Sequence, residues 1–375
     1  MKIKEYISKI PKEIVYILQL FFLTRFILAV IGVTALGYSS AREHYSSYKI
    51  FNVWGLWDTR WYLNIAKMGY SAKIDAQGYA NYGFFPLYPL FIKIFNFIFQ
   101  NYFASALIVS NLFLILAAIF LYKLTRLDCD EEISLRTVKY LFVFPAAFLL
   151  SAALSESLFL FLIIVCFYYL KKQKWFLSGI FGMLLTLTKP FGIIMLVPAI
   201  YEYIAFVKAN KKIGFLKIIK DACSILLIPI GLALFAVYTY FLTGDIFAYT
   251  HIKQSGWGNY LANPIKLVYS SLTSGFTGYV FGAEASIFII FLLIFFWKKI
   301  NFSYFLAAIM LVGFCVFYNG TMPSALRYYT ALFPVYIILG KISENKKIDD
   351  ALMIFFLLLQ GFLMAFWTIQ SGIII

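Results

Sequence analysis

Charged residues are scarce in this chain of 375 residues. Asp, Glu, Lys and Arg make up 13% of it, against about 25% in soluble domains. Hydrophobic residues make up 63%, the mean hydropathy is +0.85, and apolar runs of about 20 residues recur from end to end. This composition excludes a soluble globular protein and predicts an all-α polytopic membrane protein, with residues 1–375 as a single membrane domain.

Histidine and cysteine are also rare. The two histidines, His44 and His251, are too few for a multi-histidine metal site. The four cysteines share no metal-like spacing, and none falls in a predicted outer segment, so no disulfide framework is expected. Asp128-Cys129-Asp130 has the Asp-x-Asp spacing with which nucleotide-sugar enzymes hold a metal, but no α/β domain surrounds it, and we reject it as a site. No cofactor is predicted, and a need for a divalent cation is left open.

The net charge of +15 does not indicate nucleic-acid binding. The basic residues lie in short loops between apolar runs, where they act as topology signals and attract anionic lipid headgroups. We expect membrane lipids, and no nucleic acid, among the partners.

The distribution of Lys and Arg predicts the topology. We divide the chain into eleven membrane helices, at 14–37, 103–122, 138–153, 156–170, 175–189, 191–207, 222–242, 280–297, 302–318, 327–340 and 350–371. With a cytoplasmic N-terminus, 21 Lys and Arg lie in inner segments and 10 in outer ones, which agrees with the positive-inside rule. The prediction is a multi-pass protein of the cell membrane with an outer C-terminus. Its first helix, which contains Arg25, is expected to be retained rather than cleaved as a signal peptide, with Arg25 facing the interior of the bundle.

Two apolar runs are too long for one membrane helix. Residues 138–170 and 175–207 would each extend about 50 Å as a single helix, against a hydrocarbon core of about 30 Å. Each run has a charge near its middle, Glu156 and Lys189, which a single helix would leave in hydrocarbon. A hairpin in each run would move both charges to the outer face.

Two long polar segments, 38–102 and 243–279, are predicted extracytoplasmic loops. Within the first, the sixteen residues 84–99 would span only about 24 Å as a helix, and Pro86 and Pro89 disfavour the start of that helix. We therefore expect an interfacial or re-entrant helix there.

The first loop contains a carboxylate among tryptophans. Trp54, Trp57, Trp61 and Ile65 follow helical spacing, and would form the apolar face of an interfacial helix. That anchor does not explain Asp58. An acid shielded by aromatic rings could act as a general base, and the alternatives are helix capping or a salt bridge to Arg60 or Arg42.

Several other polar residues are candidates for substrate binding, and each has a structural alternative. Asp75 could be a plain loop residue, and Glu156 could cap a helix N-terminus. Lys189 and Arg327 could bind lipid headgroups or, as fixed positive charges, a phosphate. The remaining candidates are Arg60, His251 and Tyr328, while Tyr70, Tyr79 and Tyr82 could stack on a sugar or simply pack.

The ordered motifs resemble the PIG-V type of GPI mannosyltransferase and its prokaryotic relatives. They are Trp57-Asp58…Trp61-Tyr62…Ile65-Ala66…Gly69-Tyr70…Phe84-Phe85-Pro86-Leu87-Tyr88-Pro89, Ser155-Glu156-Ser157-Leu158-Phe159, Leu187-Thr188-Lys189-Pro190-Phe191-Gly192 and Arg327-Tyr328…Phe333-Pro334. Lys189 stands where relatives are expected to have arginine. It keeps the positive charge but cannot bind a phosphate through two parallel hydrogen bonds as arginine does.

The resemblance implies a GT-C-type bundle and a polyprenyl- or dolichyl-phosphate sugar donor, usually of mannose. It implies inverting transfer on the extracytoplasmic side, with the first-loop acid, here Asp58, serving the reaction. The acceptor, a glycan, lipid or protein, does not carry over, and a glucose or pentose donor stays open.

Two other functional classes remain as alternatives. A flippase or transporter of lipid-linked sugars would explain the helices and the intramembrane charges, but the second half of the chain contains no copy of the Trp-Asp block. A GT-C-like polysaccharide ligase or phosphoethanolamine-type transferase would use a similar architecture.

Overall fold

The computed structural model describes residues 11–38 and 44–374. Helix accounts for 76% of the chain, and no sheet is formed among the described residues, where one isolated bridge joins Leu261 and Tyr318. The α-helices are α1 (Lys12–Leu36), α2 (Lys49–Asn52), α3 (Thr59–Met68), α4 (Leu87–Phe99), α5 (Tyr102–Thr125), α6 (Glu131–Val143), α7 (Glu156–Lys171), α8 (Trp175–Thr186), α9 (Leu196–Ala209), α10 (Phe215–Ile225), α11 (Leu227–Thr243), α12 (Ala248–Trp257), α13 (Pro264–Leu272), α14 (Thr277–Phe296), α15 (Phe302–Phe317), α16 (Ala325–Tyr329), α17 (Phe333–Ile342) and α18 (Lys346–Thr368). The all-α prediction is confirmed.

Five helical segments are long and apolar enough to cross a membrane, as expected for a multi-pass membrane protein. They are Lys12–Leu36, Tyr102–Thr125, Pro190–Ala209, Thr277–Lys299 and Lys346–Thr368. The bent pair α10–α11, with an angle of 42°, would make a sixth. The predicted count of eleven is not confirmed, because α6, α7, α8, α15 and α17 have 10 to 16 residues each and are shorter than the roughly 20 that a span needs.

Both long apolar runs are broken, as their length predicted. The first stops being α-helical after Val143 and resumes at Glu156, with a 3₁₀ turn over Ala147–Leu150 between. The second breaks after Thr186, and a 3₁₀ segment, Pro190–Met195, leads into α9. Pro190 cannot continue the preceding helix because it lacks the amide hydrogen and its ring disfavours helical geometry in Lys189.

Arg25 stabilises the first break from the interior of the bundle. Its guanidinium, on α1, donates to the carbonyl oxygens of Phe142 and Ala147 and to the hydroxyl of Ser151. Gln360 of α18 also donates to the Phe142 carbonyl. The last carbonyls of a helix have no partner within it and carry partial negative charge, so Arg25 satisfies both the hydrogen bonds and the charge. The prediction that Arg25 faces inward is confirmed.

The first loop differs from the sequence prediction in one respect. Trp54, Trp57, Trp61 and Ile65 do not share one helix, because α3 begins only at Thr59. Trp57 has a φ of +56°, which a regular helix does not allow. The segment after Pro86 does form a short helix, α4, of 13 residues.

The two predicted outer loops meet. Trp257, at the end of α12, packs against Trp61, Tyr79 and Phe84 of the first loop with ring centroids 4.6 to 6.2 Å apart. The backbones are also close there, since a Cβ on Gly256 would lie 2.7 Å from the carbonyl oxygen of Gly78. Of the residues in this contact, Phe84 lines the cavity described next.

Candidate active site

A cavity lies where the first loop, the break before Pro190, α12 and α16 come together. Its empty space is about 470 Å³, part of it open to solvent. Its polar lining comes from Asp58, Thr188, Lys189, Lys253, Asn259 and Arg327, and its aromatic lining from Tyr62, Phe84, Phe85, Phe191, Tyr249, Phe314 and Tyr328. The residues of the ordered motifs therefore converge on one site.

Arg327 joins the two acids of this site. Its Nη1 donates to Asp58 Oδ2 at 2.7 Å, and its Nε donates to Glu156 Oε1 at 2.9 Å. Lys189 Nζ donates to the same Glu156 oxygen at 2.6 Å. The side chains of Glu156, Arg327 and Lys189 are 2%, 6% and 9% exposed, whereas that of Asp58 is 22% exposed. Of the four charged groups, Asp58 is the one that solvent or a substrate reaches most easily.

Helix boundaries position these side chains. Asp58 is the residue before α3, Glu156 is the first residue of α7, and Lys189 precedes the 3₁₀ segment at Pro190. Arg327 lies on α16, a helix of five residues. Because each charge sits at a break, the surrounding apolar helices can bury the cluster without carrying a charge in their interiors.

The Asp58 loop is fixed to the first break by hydrogen bonds. Tyr62 Oη and Ser155 Oγ are 2.8 Å apart, and the amide of Ala153 donates to the carbonyl of Trp54 at 2.8 Å. Thr59 Oγ1 is 3.3 Å from the carbonyl oxygen of Ala153. These bonds hold Asp58 and Glu156 on opposite sides of the same guanidinium.

Asp58 and Glu156 form salt bridges rather than hydrogen bonds that cap their helices. Asp58 occupies the N-cap position of α3, but its side chain makes no capping hydrogen bond, and its salt bridge is to Arg327 rather than to Arg60. Arg42, the other proposed partner, lies outside the described residues. The Glu156 carboxylate is in the first turn of α7, where negative charge is favourable, but its bonds go to Lys189 and Arg327.

Four predicted binding residues do not line this cavity. Glu156 is buried next to it, in salt bridges with Lys189 and Arg327. Arg60 is exposed, with its guanidinium 5.3 Å from the Trp61 ring centroid. Asp75 is exposed and accepts hydrogen bonds from the amides of Gln77 and Tyr79, so it orders its own loop.

His251, the fourth of these residues, faces away from the cavity. Its imidazole is 2.6 Å from Asp245, and its side chain is 62% exposed. Tyr328, by contrast, lines the cavity together with Lys189 and Arg327.

The two acids of the rejected Asp-x-Asp motif accept hydrogen bonds from residues outside the motif. Asp130 caps the N-terminus of α6 by accepting from the amide of Ile133. Asp128 accepts from Asn301 at 2.5 Å.

Lys253 was not among the predicted site residues. Its Nζ lies 3.7 Å from the ring centroid of Trp257 and 4.6 Å from that of Phe84. Burial lowers the pKa of Lys253 to about 8, although the nearby Asp58 acts in the opposite direction. The lysine and Trp257 are four residues apart on α12, a spacing that places them on one helix face. A lysine and a tryptophan four residues apart in an outer loop form the sequence pattern from which a role for Lys253 could have been predicted.

A sequence model of the family described as mannosyltransferase (PIG-V) matches residues 12–281. No curated protein sequence matches significantly.

Among solved structures, the oligosaccharyltransferase of Archaeoglobus fulgidus with a tethered acceptor peptide is similar at 14% identity and a TM-score of 0.43, covering 94% of this chain and 54% of that one. The same organism's AglB, in complex with an inhibitory peptide and a dolichol-phosphate, is similar at 12% identity and a TM-score of 0.43, covering 94% and 56%. The chain spans about half the length of these structures.

Proposed function

The chain belongs to the mannosyltransferase (PIG-V) family, and from that premise we propose that it is a membrane glycosyltransferase of the GT-C type. It transfers a hexose, with mannose as the first expectation, from a polyprenyl- or dolichyl-phosphate sugar. The acceptor is a hydroxyl of an extracytoplasmic glycan, lipid or protein.

The observation that carries this proposal is the Asp58–Arg327–Glu156 arrangement, of which Asp58 and Arg327 line the cavity. Asp58 Oδ2 accepts from Arg327, while Oδ1 has no donor among the residues that the structure describes. A partly exposed carboxylate with one oxygen held and one free is suited to accept a proton from a bound hydroxyl.

The proposed reaction needs one proton transfer and one displacement. The acceptor hydroxyl gives its proton to Asp58 Oδ1 while its oxygen bonds to the anomeric carbon of the donor. The bond from that carbon to the phosphate oxygen breaks, and its electron pair leaves with the polyprenyl phosphate. Attack opposite the leaving group inverts the anomeric configuration.

Positive charge in the cavity favours departure of the phosphate. Arg327 and Lys189 are fixed by their pairing with Glu156, so they need little reorganisation when negative charge develops nearby. A phosphate is already a good leaving group, and the reaction does not require a general acid.

A resident divalent cation does not fit the acids of this site. Asp58 is paired with Arg327, and Glu156 with both Arg327 and Lys189. Elsewhere in the described ranges, no group of three or more His, Cys, Asp or Glu side chains could hold a metal. The residue roles proposed for this reaction involve no metal.

The extracytoplasmic location follows from the charge bias of the sequence. The predicted outer loops 38–102 and 243–279 supply Asp58 and Lys253, and their contact through Trp257 supports a common side. Opposite faces of a membrane could not provide that contact.

The experiment that tests the function uses the reconstituted full chain and a polyprenyl-phosphate mannose labelled in both sugar and lipid. Acceptors are a panel of simple glycosides and the lipid fraction of the host membrane. We expect acceptor-dependent release of labelled polyprenyl phosphate together with labelled sugar in a new product. Movement of intact donor across the bilayer without release would instead establish a flippase. No turnover with mannosyl, glucosyl or pentosyl donors would contradict the proposal.

A further inference from the structure

Among the described residues that line the cavity, Lys253 is the cation that forms no salt bridge with a carboxylate. Arg327 and Lys189 are both in salt bridges with Asp58 or Glu156. The ammonium of Lys253 has no salt bridge and no hydrogen-bond acceptor among the described residues, and its contacts are the rings of Trp257 and Phe84.

Within the part of the chain that the structure describes, the site therefore has one positive charge in excess. Three cations, Arg327, Lys189 and Lys253, face two carboxylates, Asp58 and Glu156. Charge removed from water is unfavourable unless it is paired, so the cavity as a whole is suited to an anion.

The aromatic contacts attract the ammonium but leave its hydrogen-bond donors without acceptors. A ring face attracts a cation through its quadrupole, but it offers no oxygen to the three N–H donors that a lysine carries. The position is sterically specific, since a Cβ on Gly83 would lie 3.1 Å from the Trp257 ring and 3.6 Å from Lys253 Cε. The first loop leaves the space in which Trp257 and Lys253 fit together.

A second polar group in the same cavity also lacks a partner. Asn259 Oδ1 is buried with no hydrogen bond, and the backbone amide of Asn259 donates to the carbonyl of Lys253 at 3.0 Å. A donor and an acceptor, both unused and fixed to one helix end, match a ligand that carries an anion and a hydroxyl. A sugar phosphate has both.

We propose that Lys253 binds the phosphate of the lipid-linked sugar donor, and that the salt-bridged cations Arg327 and Lys189 complete the anion site behind it. This assignment rests on the proposed function for the identity of the donor. It makes the α12 helix, in the second outer loop, a part of donor recognition.

The titration of Lys253 supplies a way to test the role. The charged and titratable groups that face it are Asp58, Lys189, Arg327 and the tyrosines Tyr62, Tyr249 and Tyr328. Burial raises the pKa of Tyr62 and Tyr249 above the usual range, so they stay neutral at moderately alkaline pH. Because the pKa of Lys253 is about 8, its charge, and with it anion binding, should be lost as the pH rises through that value.

The experiment is equilibrium binding of a short polyprenyl phosphate to the detergent-solubilised full chain between pH 7.5 and 9.5. A phosphate monoester has its second pKa at about 6, so the charge of the ligand is nearly constant over this range. We expect Lys253→Gln to weaken binding about tenfold at pH 7.5. The wild type should weaken toward the level of that variant at pH 9.5, and Lys253→Arg should bind with little pH dependence.

Matched controls separate this result from misfolding and from other phosphate sources. Lys266→Gln, an exposed lysine of the same loop, should bind like the wild type. Lys253→Arg keeps the charge if the Gln variant does not fold. Equal affinity of Lys253→Gln and wild type would overturn the assignment, and so would displacement by equimolar inorganic phosphate or by vesicles of anionic phospholipid.

The binding assay is independent of turnover. Lysine-dependent binding in a protein that transfers no sugar would leave this inference standing and remove the proposed function. Sugar transfer by Lys253→Gln with an unchanged KM for the donor would support the proposed function and overturn this inference.

Discussion

Replacing Glu156 with glutamine should destabilise the protein through the charge balance of its interior. The carboxylate is 2% exposed, and its Oε1 accepts from both Lys189 and Arg327, at 2.6 and 2.9 Å. Glu156→Gln keeps the size of the side chain and removes its charge. Lys189 and Arg327 are then buried with only Asp58 to balance them.

The magnitude follows from the cost of leaving a buried charge unpaired. Removing one partner of a buried ion pair costs about 3 to 5 kcal/mol, a large part of a total stability of about 5 to 15 kcal/mol. We expect the upper half of that range, because two cations lose their shared partner. The apparent Tm should fall by roughly 5 °C or more.

The assay is thermal unfolding of the detergent-solubilised variants in a double-mutant cycle. Lys189→Met alone leaves Glu156 paired with Arg327 and should cost less than Glu156→Gln. The double variant restores the charge balance and should be more stable than Glu156→Gln alone, with a coupling of about 1 to 3 kcal/mol. Glu132→Gln is the control, since that exposed side chain pairs with Arg136 at the surface and should change stability by less than about 0.5 kcal/mol.

Two results would refute this reasoning. A Tm of Glu156→Gln within 1 °C of the wild type, by the scale of about 2 to 4 °C per kcal/mol for mid-sized domains, would mean that the cations are not held by this carboxylate. Additive effects of Glu156→Gln and Lys189→Met would mean that the two residues do not interact.

Two further predictions concern the fold. Arg25→Met should lower the free energy of unfolding by about 2 to 4 kcal/mol, because it removes the donor from the buried Ala147 carbonyl and the Ser151 hydroxyl; a change below 0.5 kcal/mol in the same thermal assay would contradict this. Cysteines introduced at Lys73 and Lys212, in an otherwise cysteine-free chain, should react with a membrane-impermeant thiol reagent from the outer and inner face respectively, and the opposite labelling would overturn the topology.

The residues of the buried charge cluster could be predicted because a membrane protein has few reasons to keep charge. Asp58, Glu156, Lys189 and Arg327 were singled out by ionisable side chains within apolar sequence, and the structure brings all four within one network. The breaks near Glu156 and Lys189 followed from the length of each run together with the charge near its middle, since neither run fits a bilayer as a single helix.

Partner choice could not be predicted from the same signals. Asp58 and Arg327 are 269 positions apart, and no local spacing relates them. Lys253 was missed because a lysine in an outer loop looks like any surface lysine until Trp257 and Phe84 are placed around it. The continuous Trp54–Ile65 helix was wrong because helical spacing does not register a turn such as the one at Trp57, where φ is positive.

The most direct test of the account is the turnover number of Asp58→Asn with a labelled polyprenyl-phosphate mannose and its acceptor. Removing a general base lowers a rate by about 10² to 10⁴, so kcat should fall by at least a hundredfold while binding of polyprenyl phosphate persists. Asp350→Asn, at an exposed acid of α18, should keep wild-type kcat. Full activity of Asp58→Asn, in a preparation where the wild type turns over, would contradict the assignment of Asp58 as the base.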